Sequence, residues 1–241
     1  MSSANPYAPP THDEPALPPD SVTGGLDEFR SSEGIATALR VALGVTALAL
    51  LLDVGTTWLQ IDLLTRVRDG GAFSMPEAEA SDRRVQLSGA VQLLAQLCAA
   101  VLWAVWFNRS NKNARALGAE AMEFGPNAWG WFIAPVVNLW KPYQSIGELW
   151  RCSDPRSADR RTPPSLFGLW WATWIVGNVL SQLSWRMVRN DGDDVGALII
   201  SSWVAIGSNL TLLVAGVAAA LVVTAVQRRV ASGLAHTTRR A

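Results

Sequence analysis

Four apolar runs constrain this chain more than any other feature: Ile35 to Ile61, Val85 to Phe107, Leu166 to Val188 and Val195 to Val226. A helix needs about 20 mostly apolar residues to cross a bilayer, and each run supplies at least that many. Inside lipid the backbone must satisfy its own hydrogen bonds, so such runs become helices. A hydrophobic content of 49% also suits a large water-soluble domain. Apolar residues bunched into runs, rather than spread in half-buried periods, favour a membrane protein. The last run is overlong and has room to tilt or to continue past the membrane.

Between the first two runs lies VRDGGAFSMPEAEASDRR, a polar connection with Gly70 and Gly71 as breakers, and between the last two lies the turn RNDGDD. The expected fold is an all-α integral membrane protein: four transmembrane helices in two antiparallel hairpins, plus a broken interfacial or re-entrant helix pair over 127–152. Residues 1–34 carry six prolines in the first twenty positions and an excess of acid. They are expected to form a disordered, Pro-rich acidic tail, because they bury too little surface to offset chain entropy. The membrane domain is expected over 35–230 and a short basic tail over 231–241. No basic n-region with an early apolar stretch opens the chain, so the first span is expected to direct insertion.

The formal net charge is zero, but the charges are segregated: 108–165 holds eight Lys or Arg against five acids. Placing both termini in the cytoplasm puts thirteen basic residues inside and six outside, in keeping with the positive-inside rule. A rival arrangement makes 127–152 a fifth span. It would bury Lys141, Glu148 and the break at Pro142, and a charge at a helix centre costs about 2.5–3.5 kcal/mol.

The segment Asn127 to Cys152 holds four of the twelve tryptophans. Its apolar first half, Trp129 to Trp140, is too short to span and suits a re-entrant or interfacial element. Asn127 is a candidate cap, and Trp129, Trp131 and Trp140 carry rings that settle at headgroup level. Pro135 lacks an N–H and should kink the first helix. A break is expected between Asn138 and Pro142, because Lys141 precedes a proline and is biased away from helix, while Pro142 suits a helix start. In the second helix Tyr143, Ile146, Leu149 and Trp150 share one apolar face, and Ser153-Asp154-Pro155 ends it.

Trp106, Arg109 and Asn113, then W-F-x-x-P-x-x-N-L-W-K-P-Y-Q from Trp131 to Gln144, E-L-W-R at Glu148 to Arg151 and the pair Trp170-Trp171 resemble a bacterial membrane-protein family catalogued as domain of unknown function 4328. The resemblance covers roughly Val85 to Val226. It implies a multi-pass protein of the bacterial inner membrane without an established activity, and it transfers no catalytic residue.

Polar residues recur inside the runs. Thr46, Asp53, Thr57 and Gln60 share one helical face of the first, and Gly89, Gln92 and Gln96 one face of the second. Counting from the midpoint of each run places Asp53, Gln92 and Gln182 about 6 to 8 Å to one side, with Asn209 nearer the middle. They form a candidate intramembrane polar layer, either helix glue or a ligand or proton site.

Composition narrows the function classes. The only histidines are His12 and His236, and no G-x-S-x-G, H-E-x-x-H or P-loop occurs. Cys98 and Cys152 make no metal-ligand spacing or disulfide framework, and the basic residues flank spans instead of forming a nucleic-acid footprint. No catalytic, cofactor or metal residues are expected. The favoured reading is a non-enzymatic interaction or scaffolding module whose segment of Trp129, Trp131, Pro135, Asn138, Trp140, Lys141, Pro142, Tyr143 and Trp150 docks lipid, another membrane protein or a second copy at the cytoplasmic face. The alternative is a small transporter or channel built on the layer around Asp53.

Overall fold

The computed structural model describes residues 26–119, 122–133, 136–154, 162–192 and 194–239. Among these the secondary structure is helical: α1 Glu33–Arg68, α2 Met75–Ala116, two 3₁₀ turns at Ala128–Phe132 and Val137–Leu139, α3 Lys141–Cys152, α4 Ser165–Asp191 and α5 Val195–Thr238. Three helices, α1, α2 and α5, are long and apolar enough to cross a membrane. The helix α4 has 27 residues, about 40 Å of rise, but its Trp, Asn, Gln and Ser content keeps it out of that group.

All three long helices outrun the apolar segments that announced them. With 36, 42 and 44 residues they are about 54 to 66 Å long at 1.5 Å per residue, well beyond a hydrocarbon core of about 30 Å. Hydropathy marks the part that lipid can hold, whereas the helix ends where a cap stops it. At the start of α2 the Ser74 hydroxyl accepts from the Glu77 amide at 3.3 Å, with a proline in the first turn, well upstream of Val85. Arg66 at the end of α1 meets Glu77 at 2.6 Å.

Side-chain pairings fix the register. Between α1 and α2, Arg66 meets Glu77, Asp53 meets Ser88, and the Arg30 backbone just ahead of α1 meets Asn113. Between α1 and α5, Trp58 stands edge-on to Trp203, Asp53 meets Asn209 and Ser32 meets Gln227. Between α4 and α5, Ser184 donates to the Ser201 carbonyl and Ser208 to that of Gly177. A Cβ on Gly177 would sit 2.6 Å from Leu212 Cγ, so glycine permits this close crossing. Helix α5 runs beside both α1 and α4, and α2 beside α1, which gives the order α2–α1–α5–α4.

Residues 26–34, expected to belong to the tail, pack on the bundle. Leu26 and Phe29 lie against the main core. Asn113 grips the Arg30 backbone on both sides, accepting from its amide at 3.1 Å and donating to its carbonyl at 2.8 Å, while Gln227 donates to the Ser32 carbonyl. Residues 1–25 of the expected tail lie outside the described residues. At the other end, residues 231–238 continue α5 instead of forming a separate tail, and Val230, Gly233 and Thr237 are buried.

The broken segment departs from expectation in its first half. Its described residues form 3₁₀ turns at Ala128–Phe132 and Val137–Leu139, not an α-helix. Asn127 makes no side-chain cap; its Oδ1 instead accepts from Asn108 at 3.1 Å. The expected kink at Pro135 falls outside the described residues. Just after it Val136 has φ 65°, a left-handed conformation that a β-branched residue adopts rarely. The second half forms α3 with its break at Trp140, inside the expected window. Lys141 is its first helical residue instead of a non-helical one, and Pro142 follows in the first turn, where its missing N–H is no loss.

Candidate functional site

Tryptophans organise the end of the bundle at which α3 sits. Trp106, Phe107, Ile146, Leu149 and Phe167 are fully buried. Trp103 of α2 stacks on Trp170 of α4 with ring centroids 5.2 Å apart, and Phe132 of the first 3₁₀ turn lies 5.9 Å from Trp103 and 5.8 Å from Trp171. These rings join α2 and α4, the two outer helices of the row. The Trp171 indole N–H donates to the Leu139 carbonyl at 2.8 Å. Trp171 is the seventh residue of α4, so the second 3₁₀ turn meets that helix about 9 Å beyond its first residue.

The loop that feeds this segment is held by polar groups on both sides. From α2, Asn111 donates to the Phe124 carbonyl at 2.9 Å, Asn108 to the Pro126 carbonyl at 3.2 Å, and Arg115 to Asn111 Oδ1 at 3.2 Å. From α3, the Glu148 carboxylate accepts from the amides of Glu123 at 2.7 Å and Phe124 at 2.9 Å. Lys141 pairs with Glu123 at 3.2 Å and lies 4.8 Å over the Phe124 ring. Beside this loop, Glu123, Asn127, Trp131 and Lys141 help to line a cleft of about 510 Å³.

Of the nine residues singled out in the segment, Pro142 and Trp150 are buried, Trp129 is half-buried against the core and Lys141 is half-buried. Trp131, Trp140 and Tyr143 are exposed, Tyr143 at the edge of the face on which Ile146, Leu149 and Trp150 are buried. Ser145 and Gly147 are buried beside them. Asn138 lies on a second groove, and its Oδ1 is buried without a hydrogen-bond partner among the described residues. Ile133, Val136 and Leu139 are exposed as well, so the tip of the segment presents large apolar side chains outward while its base is clamped.

Three of the four polar-layer residues come together. Asn209 donates to Asp53 Oδ2 at 2.8 Å, and Gln92 donates to Asn209 Oδ1 at 3.2 Å. Ser88, which the hydropathy reading passed over, donates to Asp53 Oδ1 at 2.6 Å and lies 2.9 Å from Thr56 Oγ1. It stands one turn before Gln92, and that spacing was its only signal. Gln182 does not join: it is exposed on α4. The Ser184–Ser201 and Gly177–Ser208 pairings place it about six residues, or 9 Å, from the level of Asn209.

A further cluster was not legible in sequence. Asp154, 2% exposed after the end of α3, accepts from Ser232 at 2.9 Å and lies 3.3 Å from His236 Nδ1, both on the last turns of α5. Burial pushes its carboxyl up, but the Ser232 hydroxyl, the His236 ring and nearby Arg229 outweigh this and hold it below its ordinary value. Arg229 also lies 3.9 Å over the Trp150 ring.

None of the curated proteins and none of the solved structures matches the chain. A family model described as domain of unknown function (DUF4328) matches residues 69–228, from the end of α1 well into α5. That stretch includes the aromatic cluster, the clamped loop, the broken segment and Asn209. With well over half of its length matched, the chain belongs to the DUF4328 family.

Proposed function

We propose that this protein is a non-enzymatic, multi-pass module of a bacterial inner membrane, with both termini cytoplasmic and 127–152 re-entrant from that side. In this reading α4 is a fourth span, and the pairs α1–α2 and α4–α5 are antiparallel hairpins. Support comes from pairings that ascend one helix as they descend the other. The observation that carries the functional reading is the contrast within the segment: Ile133 and Val136 are 75% and 68% exposed on a tip whose base is fixed by Trp171 and Glu148. Exposed apolar side chains carried on a clamped base suit an interaction surface for lipid or for another membrane protein.

Orientation is tested first. An impermeant thiol reagent added to intact cells should miss Cys152, and labelling from outside reverses the topology. Purification in mild detergent should then retain a partner protein or lipid that is lost when Ile133 and Val136 are both changed to Ser. Equal retention by the variant would sink the docking role.

A second reading rests on Asp53, where donors from α5 and α2 converge on one carboxylate within the helix row. Such a group suits a proton or cation path. Flux in liposomes that disappears in Asp53→Asn while the fold persists would favour it over the docking module.

A further inference from the structure

The second groove adjoins the surface just proposed, sharing Asn138 and Leu139 with the broken segment, and extends away from it along α4. It holds about 460 Å³ and runs along α4 from Trp174, beside Leu139, to Arg186 near the turn into α5. Asn178, Gln182 and Arg186 follow at four-residue intervals and so form one stripe, with exposed Val179 and Leu183 beside it. Asn178 is satisfied within its helix, donating to the Trp174 carbonyl at 2.7 Å. Gln182 has no hydrogen bond, and Arg186 no ion pair, among the described residues. An amide facing hydrocarbon without a partner is strongly unfavourable. A guanidinium at the edge of a span seeks an anion or water.

We infer that this groove holds one anionic phospholipid from the leaflet on the α4–α5 turn side. Its phosphate sits on the Arg186 guanidinium, which presents a fork of donors to two phosphate oxygens. One turn deeper, about 6 Å along the helix, the Gln182 amide donates to an ester carbonyl, following the short step from phosphate to glycerol within a lipid. The acyl chain then runs past Leu183 toward Trp174 and ends at the second 3₁₀ turn. Charge selects lipid over a second copy of the chain. A twofold axis along the membrane normal would set Arg186 against Arg186, whereas a phosphate neutralises it.

The inference rests on α4 lying in the bilayer, and its test separates the two. Protein purified in mild detergent, with phosphatidylglycerol added, is examined by native mass spectrometry. The wild type should keep one phosphatidylglycerol per chain, an Arg186→Gln, Gln182→Leu double variant should lose roughly tenfold in retention, and Arg189→Gln should behave as wild type. Equal retention by wild type and double variant overturns the inference, and so does an equal loss in Arg189→Gln. In a Cys98→Ser, Cys152→Ser background, Leu183→Cys that cross-links to a second copy assigns this face to a dimer and overturns it too. The same cysteine reports on α4 in vesicles: free labelling from water removes the span and the inference with it. Protection without lipid retention leaves the span standing and overturns the inference alone.

Discussion

Asn209 on α5 donates its amide to Asp53 on α1 at 2.8 Å, although 156 residues separate them. Every hydrogen in the network around this bond points the same way: Gln92 donates to Asn209, Asn209 to Asp53, and Ser88 to the other carboxylate oxygen. Three helices are thus joined at one level by groups that would have little else to bond with if these helices cross a bilayer. Asp53→Asn should keep the fold, because rotating the Asn209 and Gln92 amides restores a donor for each acceptor. Asp53→Leu leaves Asn209 without its acceptor and Ser88 with only the Val85 carbonyl at 3.0 Å, and should cost about 1–3 kcal/mol. Thermal unfolding in detergent checks both, and equal losses in the two variants would contradict the network.

Glu148 is the acceptor for two successive loop amides, those of Glu123 and Phe124. Glu148→Ala should release that loop at a cost of about 1.5–3 kcal/mol, as for hydrogen bonds to a charged group. Hydrogen exchange at the Glu123 and Phe124 amides should rise well before exchange in α1 or α5 does. Unchanged exchange at these two positions would count against the clamp.

A Cβ on Gly233 would collide with the Ser153 carbonyl oxygen and press on Asp154. Gly233→Ala should therefore push α5 off the end of α3, with an overpacking cost of about 1–3 kcal/mol. Thiol labelling of nearby Cys152 should accelerate in the variant. A rate equal to wild type would mean that the contact is not needed.

The same junction should respond to acid. The Asp154 carboxyl is held below its ordinary value of 3.8, so the unfolded chain binds this proton more readily than the folded one. The stability it contributes is fully present above that value and is lost as pH falls toward and through the lower folded value. Melting curves in detergent should be flat in this contribution near neutrality and drop below the ordinary carboxylate range. Asp154→Asn should remove that part of the drop; an identical acid profile in the variant would contradict it.

Trp171→Phe keeps an aromatic ring in the cluster but deletes the donor to the Leu139 carbonyl. The expected loss is about 1 kcal/mol, with faster exchange confined to 136–140. A loss spread over α4 instead would show that the ring, not its N–H, holds the turn.

The sequence by itself determined that the chain is helical, with runs long and apolar enough to cross a bilayer, because run length and apolarity are properties of single segments set against a fixed hydrocarbon thickness. It also determined that a helix starts within Asn138 to Pro142, since proline suits a first turn, although Lys141 itself is helical, and the family, through the residues around Trp131 to Gln144. What it left open was relative placement. Gln182 looked like a partner of Asp53 because span midpoints were used to set depth, but the axial offset of α4 is fixed by the Gly177–Ser208 and Ser184–Ser201 contacts, which no hydropathy profile contains. Periodicity put Tyr143, Ile146, Leu149 and Trp150 on one face of α3 without saying which part meets the bundle, and only packing against α2, α4 and α5 buries Ser145, Ile146, Gly147, Leu149 and Trp150 while Tyr143 stays exposed. The first half of the broken segment has helical apolar spacing, yet it forms 3₁₀ turns held by Trp171 and Phe132. The residues that clamp it, Asn108, Asn111 and Glu148, are ordinary surface types in sequence. They became specific only when tertiary structure brought the backbone of 122–127 between α2 and α3, where its amides and carbonyls must find partners away from water.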